Sequence, residues 1–220
     1  MNIEKIIPLL LEQQRRFVAT GGGVQTAPIQ IKRPKWDDVY ANYPKNATGS
    51  DDLFGPDFYE KLFGKRYNKT TYLLDNKTKL YNGCAGKVST ALALSGCYIQ
   101  KTGGIGIDFI ASENTLKSKS LNNVTMKDKG FISTASKMKK WLDAAWKQDG
   151  DIKLESAISI TSFAKLVGNK KGIYLMLAEN QTDFGASGHV TLWTGENGKY
   201  AFGGHHYDSY AKAMYFWELK

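Results

Sequence analysis

The stretch Asn82-Gly83-Cys84-Ala85-Gly86-Lys87-Val88-Ser89-Thr90-Ala91-Leu92-Ala93-Leu94-Ser95-Gly96 decides the fold, because it places a cysteine at the start of a helix. Asn82-Gly83 interrupts regular structure before the cysteine, and Gly96 is placed to end the helix. The apolar side consists of residues three and four apart, namely Val88, Ala91, Leu92 and Ser95. The small side chains near Cys84 would let this helix lie close to a sheet. The sequence therefore predicts a helix that presents Cys84 at its first turn.

Apolar periodicity predicts the other elements. The pattern predicts a short helix over residues 1–20 and a helical segment over 36–43 that Pro44 stops. It also predicts a helix that Ser133-Thr134 cap and that runs to about Lys147. Four later segments have strand character, namely Leu166-Val167, 172–177, 189–193 and 213–217. Because helices come first and a mostly antiparallel sheet follows, the sequence predicts an α+β fold.

Length and composition allow one compact domain with a tail. The 220 residues, 42% of them hydrophobic, are enough for one good core. We interpret residues 1–33 as an N-terminal helix and linker, and residues 34–220 as the main domain. No apolar run approaches the roughly 18–20 residues that cross a bilayer. The polar stretch Glu12-Gln13-Gln14-Arg15-Arg16 follows the N-terminal apolar run where a Sec signal peptide would have small residues, so we expect no such signal.

The strong positive charge calls for an anionic partner or surface. The formal net charge is +9, and nucleic acid, anionic cell wall and an acidic protein inhibitor would all satisfy it. Most of the basic residues are lysines scattered along the chain, without a recognisable nucleic-acid-binding motif. This distribution argues against nucleic acid as the partner.

The two cysteines, Cys84 and Cys97, are too few for a disulfide scaffold and lack metal-finger spacing. A helix between them would hold them about 20 Å apart, too far to form a bridge. We expect Cys97 to pack as a small buried hydrophobe. Cys84, at a helix N-terminus that stabilises negative charge and offers N–H groups to an oxyanion, is instead a candidate nucleophile.

His189 is the candidate base for Cys84. It lies in the strand-like Gly188-His189-Val190-Thr191-Leu192-Trp193, and the small residues before it leave space for a substrate. A nearby imidazole activates a thiol, and a third polar group must orient the imidazole. Asp208 is the candidate for that group, with Asn197 and His205 as rivals. The alternatives are an inert buried thiol, an ordinary strand histidine and a turn aspartate.

His205-His206 could also suggest a metal site. Adjacent histidines on a strand point to opposite faces, which weakens that interpretation. We predict no metal and no cofactor.

These residues together resemble the type VI secretion amidase effectors of family 4, which are papain-like peptidoglycan amidases of the NlpC type. The resemblance rests on Asn82-Gly83-Cys84-Ala85 with Val88-Ser89, Ala91-Leu92 and Ser95-Gly96, on 188–193 and on the terminal Phe216-Trp217-Glu218-Leu219. Trp36 and Tyr43-Pro44 are similar to the family's opening. Lys87 stands where the family usually has Arg, and Ala93 where it usually has Asn. Tyr200 occupies the stretch in which the family's acidic third member follows the histidine.

The resemblance implies a papain-like NlpC-type fold, with Cys84 as the nucleophile and His189 as the base. The expected activity is cleavage of the γ-D-glutamyl to meso-diaminopimelate amide in peptidoglycan stem peptides. The implied partners are a cognate immunity protein and the type VI secretion machinery. The protein would be made in the cytoplasm without a Sec signal and would act as an antibacterial toxin in the target-cell periplasm.

Two other classes of function fit the same residues. A papain-like protease or transferase acting on protein would use the same Cys84 and His189. A catalytically inactive module that binds cell wall or an acidic partner would keep the fold without the chemistry.

Overall fold

The computed structural model describes residues 20–21, 24–25, 31–80, 82–99, 108–109, 116–122, 124–196 and 198–220. The helix predicted over residues 1–20 lies outside the described residues except for Thr20, which belongs to a short strand. Asn197 also lies outside them.

Four helices and most of the short strands precede the main sheet in the described chain, and two further helices lie between its strands. The helices are α1 (Trp36–Asn42), α2 (Gly55–Phe63), α3 (Cys84–Leu94), α4 (Ala135–Ala145), α5 (Ile160–Val167) and α6 (Gln181–Phe184). The strands are β1 (Thr20–Gly21), β2 (Val24–Gln25), β3 (Tyr67–Asn68), β4 (Leu73–Leu74), β5 (Thr78–Lys79), β6 (Asp108–Phe109), β7 (Gly130–Phe131), β8 (Ile152–Leu154), β9 (Gly172–Ala178), β10 (Gly188–Trp193) and β11 (Ala211–Glu218). Single 3₁₀ turns occur at Gly64–Arg66, Phe202–Gly204 and Asp208–Tyr210.

The main sheet has four antiparallel strands in the order β10-β9-β11-β8. β9 is central and pairs with β10 from Gly188 opposite Leu177 to Trp193 opposite Gly172. Both faces of β9 are buried, which explains why its sequence is a continuous apolar run rather than an alternating pattern. The mixture of helices with an antiparallel sheet agrees with the predicted α+β class.

Helix α3 packs against β10 and α1 and is buried along its whole length. The predicted helix is confirmed, and Gly96 follows it with a positive φ of 82°. The prediction of a single apolar side was too narrow, since all eleven residues are buried. Close packing explains Gly86: a Cβ there would lie 2.6 Å from Phe131 Cε2 and 2.9 Å from Phe58 Cε1.

Most of the other predicted elements are confirmed. The helical segment before Pro44 is α1, and α4 begins with Thr134 accepting a hydrogen bond from the backbone N–H of Lys137. The segments 172–177, 189–193 and 213–217 lie in β9, β10 and β11.

The predicted strand at Leu166-Val167 is wrong, because these residues form the end of α5. Ser159 caps this helix by accepting a hydrogen bond from the backbone N–H of Ser162. Phe163 and Val167, four residues apart, are buried against the main sheet. Helical periodicity therefore overrides the β-branched character of the short apolar pair.

Residues just before the predicted boundary at 33/34 contact the main domain. The Ile31 backbone N–H donates to the Ala145 carbonyl, and the Arg33 guanidinium pairs with Asp151 and donates to the Glu218 carbonyl. The boundary itself stays a prediction.

Cys97 is fully buried in the core beneath α3, and neither cysteine is in a disulfide, as expected. Within the described ranges, every helix is too short or too polar to span a membrane.

Candidate active site

Cys84 and His189 line the same pocket, which has a volume of about 450 Å³. Cys84 comes from the first turn of α3 and His189 from the start of β10, because α3 packs against that strand. The remaining walls come from the loop before α2, the end of α6 and the loop before β11. Their side chains include Asp51, Asp52, Lys87, Phe184, His205 and Tyr207.

The Cys84 thiol lies at the start of the helix, as predicted. The backbone N–H groups of Ala85 and Val190 favour the thiolate form of the sulfur. Burial raises the pKa of the Cys84 thiol above its usual value, while these two N–H groups and the Lys87 charge act to lower it. Burial has the larger effect, so Cys84 is a neutral thiol at rest. The two N–H groups and the Lys87 charge offset part of the cost of forming the thiolate.

His189 owes its place to the glycine before it. Gly188 has a φ of +151°, and a Cβ there would lie only 2.1 Å from the Met176 carbonyl oxygen on β9. The His189 side chain is therefore brought close to the central strand and is 9% exposed. Its Nε2 has no hydrogen-bond partner in the described part of the chain.

The pKa of His189 is lowered from its usual 6.5 to about 3, first by burial and then by the electrostatic effect of the nearby His205 and Lys87 side chains. At neutral pH the imidazole is uncharged and can accept a proton. The site therefore holds a neutral thiol and a neutral base rather than a preformed ion pair.

Tyr207 and His205 cover the His189 ring. The ring centroids of His189 and Tyr207 are 4.9 Å apart, and those of His189 and His205 are 6.1 Å apart. Asp51 Oδ1 lies 2.7 Å from His205 Nε2, and the Tyr207 hydroxyl lies 3.2 Å from His205 Nδ1. These contacts anchor the loop before β11 to the loop before α2, and they shield the base from solvent.

The structure brings Cys84 and His189 together but gives Asp208 other partners. Asp208 Oδ1 lies 2.9 Å from His206 Nδ1, and its Oδ2 accepts the backbone N–H of Ile160 at 2.8 Å. Asp208 is not among the residues that line the pocket. Of its rivals, Asn197 lies outside the described residues, whereas His205 lies in the pocket.

His205 and His206 are bound to different aspartates, Asp51 and Asp208. In the described ranges, no three His, Cys, Asp or Glu side chains are grouped so that they could hold a metal ion.

Sequence reasoning missed a buried ion pair beside the cysteine. Lys87 Nζ donates to Asp52 Oδ2 at 3.0 Å, and the two side chains are only 7% and 12% exposed. The spacing in the sequence indicates the lysine, because a residue three positions after Cys84 in a helix lies on the same side of α3. Asp52 lies in an irregular loop, and no periodicity indicates where its side chain points.

A second hollow, of about 280 Å³, also borders Cys84. Its walls come from Tyr59, Ser133-Thr134 and the segment 185–188. Cys84 and Gly188 border both the pocket and this second hollow. A chain-like substrate lying across Cys84 could therefore occupy both hollows, with the bond to be cut at the sulfur.

Comparisons with known proteins agree on one family. The family model described as "Type VI secretion system (T6SS), amidase effector protein 4" matches residues 80–217. No curated protein sequence matches the chain significantly.

Solved structures show the same fold at low sequence identity. The Tae4 effector in the Tae4/Tai4 effector–immunity system from Salmonella typhimurium superposes with a TM-score of 0.56 at 16% identity, covering 86% of this chain and all of that chain. The effector Tae4 from Enterobacter cloacae gives a TM-score of 0.55 at 18% identity, covering 87% of this chain and all of that chain. The Tae4-Tai4 complex from Enterobacter cloacae gives 0.53 at 18%, covering 86% and 100%.

Proposed function

Because the chain belongs to the family of type VI secretion system amidase effectors 4, we propose that it is a cysteine amidase that cuts peptidoglycan stem peptides. The bond we assign is the γ-D-glutamyl to meso-diaminopimelate amide, with Cys84 as the nucleophile and His189 as the base. The observation that carries this proposal is the pocket shared by these two side chains, which are 105 positions apart in the chain.

The first step is attack of Cys84 on the amide carbonyl. His189 takes the thiol proton as the sulfur–carbon bond forms, since both groups are neutral at rest. The N–H groups in the first turn of α3 have no acceptor within the helix, so they can donate to the oxyanion. The neutral resting state keeps the thiol little reactive until a substrate excludes water and supplies the carbonyl.

The second step is release of the amine. The imidazolium of His189 donates its proton to the leaving amine, and a thioester to Cys84 remains. Water, activated by the now neutral His189, hydrolyses the thioester and frees a D-glutamate carboxylate. The two hollows beside Cys84 support this scheme, because each can hold one side of the cut bond.

Asp208, His205 and Asn197 are the candidates for the third polar group of the site. The contacts of the described residues favour His205, which is in the pocket, is bound to Asp51 and faces the His189 ring. Asp208 can act on His189 only indirectly, through the loop that holds His206 and Tyr207. A larger fall in kcat for His205→Asn than for Asp208→Asn would support this order.

We further propose a life cycle for the protein as an antibacterial toxin. The effector would be made in the cytoplasm, delivered by the type VI machinery and active in the periplasm of the target cell. A cognate immunity protein would protect the producer, in line with the Tae4-Tai4 complexes among the similar structures. The net charge of +9 would favour approach to the anionic cell wall. Residues 1–33 would lie outside the amidase domain of 34–220.

The test is digestion of diaminopimelate-type sacculi, with the released muropeptides identified by mass spectrometry. We expect wild type to release fragments with a new D-glutamate carboxylate, and Cys84→Ala and His189→Ala to release none. Cys97→Ala is the matched control, because that thiol is buried in the core away from the pocket. Activity that survives Cys84→Ala would overturn the nucleophile assignment, and a new carboxylate at another position would overturn the bond assignment.

A further inference from the structure

A buried lysine lies beside the candidate nucleophile and has no role in the steps above. Lys87 is the only lysine or arginine among the described residues that line the pocket. It extends from α3 three positions after Cys84, and a Cβ on Gly83 would lie 3.4 Å from Lys87 Cε. The Lys87 side chain thus passes directly beside the start of the helix, where the Cys84 thiol lies.

Asp52 holds the Lys87 ammonium in this position. The 3.0 Å contact between Lys87 Nζ and Asp52 Oδ2 is the only polar contact found for this ammonium among the described residues. Tyr43 also interacts with Asp52, yet the buried Asp52 Oδ1 stays without a hydrogen bond in these ranges, whereas a buried ion pair retained for stability needs further hydrogen bonds to offset the loss of hydration. Its place in the pocket indicates a role in the chemistry instead.

We propose that the Lys87 ammonium, held in place by Asp52, stabilises the negative charge that the Cys84 sulfur carries during catalysis. The two residues act with opposite signs: Lys87 favours the thiolate by its positive charge, and Asp52 opposes it by its negative charge. Asp52 thereby limits the effect of Lys87 while fixing its position. This inference rests on the proposed role of Cys84 as nucleophile.

The charges that face Cys84 come from several elements. The Lys87 charge lowers the pKa of the Cys84 thiol and the Asp52 charge raises it, in the presence of the larger raising effect of burial. The other titratable groups around the thiol are His189 on β10, Asp51 in the loop before α2, His205 and Tyr207 in the loop before β11, Tyr59 on α2 and Tyr43 on α1. Lys87 is the one lysine or arginine of this set.

The experiment measures the rate of Cys84 alkylation by iodoacetamide as a function of pH, with labelled peptides identified by mass spectrometry so that Cys97 is counted separately. For Lys87→Met we expect the midpoint of the pH profile to move upward and the rate at pH 7 to fall several-fold. For Asp52→Asn we expect the midpoint to move downward. Lys87→Arg is the matched control, which keeps the charge and should keep the midpoint near that of wild type.

Opposite shifts for the two substitutions support the proposal, because a purely structural role gives no reason for opposite signs. Midpoints that do not move, or that move in the same direction, overturn it. Lys87→Met leaves the Asp52 carboxylate buried without its cation and could unfold the chain. The double variant with Asp52→Asn removes both charges, and its midpoint must lie above that of Asp52→Asn alone.

Alkylation reports thiol ionisation whether or not the protein is an amidase. The expected opposite shifts without muropeptide release would therefore leave this inference standing and refute the proposed function. Muropeptide release without those shifts would do the reverse. In an active protein, Lys87→Met should lower kcat at pH 7 more than it changes KM, with partial recovery at higher pH.

Discussion

The neutral, buried His189 should make the stability of the protein fall in mild acid. Its pKa is about 3 in the folded chain and about 6.5 in the unfolded chain, where the imidazole is hydrated. Between these values the unfolded state binds a proton that the folded state does not. Stability is therefore unaffected above pH 6.5, falls as the pH drops below 6.5, and stops falling near pH 3.

The size of this effect follows from the same two values. At pH 7 the unfolded state gains only about 0.2 kcal/mol from protonation of this side chain, and at pH 5 it gains about 2 kcal/mol. The difference between the two pH values is thus about 1.9 kcal/mol for His189 alone. Because the side chain is only 9% exposed, solvent screening should reduce this figure little.

Urea denaturation of wild type and His189→Gln at pH 7 and pH 5 isolates the effect, since groups common to both proteins cancel in the difference. We expect wild type to lose about 2 kcal/mol more than His189→Gln on acidification. Equal losses in wild type and His189→Gln would refute the reasoning, because they would mean that His189 is hydrated in the folded chain.

Three substitutions test the packing that builds the site. Gly86→Ala should lower the free energy of unfolding by about 1–3 kcal/mol in urea denaturation, since its Cβ would lie 2.6 Å from Phe131. Adding Phe131→Leu should restore part of this loss. An unchanged free energy of unfolding would contradict the close packing. Thr134→Ala should lower the free energy of unfolding by about 0.5–2 kcal/mol through loss of the cap on α4, whereas Thr134→Ser should be nearly neutral. Gly188→Ala should abolish muropeptide release and lower the melting temperature, because its Cβ would lie 2.1 Å from a β9 carbonyl oxygen. Muropeptide release and a melting temperature equal to those of wild type would contradict this prediction.

The elements that the sequence predicts well carry their own local signals. Helix α3 is preceded by Asn82-Gly83 and followed by Gly96, and α4 has a hydroxyl cap, so both can be found from neighbouring residues alone. β9 is an apolar run, and β10 alternates polar His189 and Thr191 with apolar residues. The strand prediction at Leu166-Val167 is wrong because two adjacent apolar residues are too few to show a periodicity. The helical spacing becomes visible only when Ser159 and Phe163 are included.

The sequence predicts those residues of the candidate site that lie in a recognisable local pattern, and it does not predict the others. Cys84 and His189 could be found because each lies in a recognisable local setting, and the order of elements lets α3 pack on β10. The partners of Asp208 depend on how two 3₁₀ turns fold back toward α5. Asp51 and Asp52 reach the pocket from an irregular loop more than 130 positions before His189. Such contacts are set by tertiary packing, and no local pattern encodes them.

Because Cys97 is completely buried, the rate at which its thiol reacts with a labelling reagent measures how often the core opens. This thiol lies in the core, with its backbone N–H bonded to the Leu92 carbonyl at the end of α3. A reagent can reach it only when the packing between α3 and the sheet is transiently lost. If reclosing is fast, the labelling rate equals the rate for a free thiol multiplied by the open fraction. Timed labelling in plain buffer would then give the opening free energy of the core that supports Cys84, without denaturant.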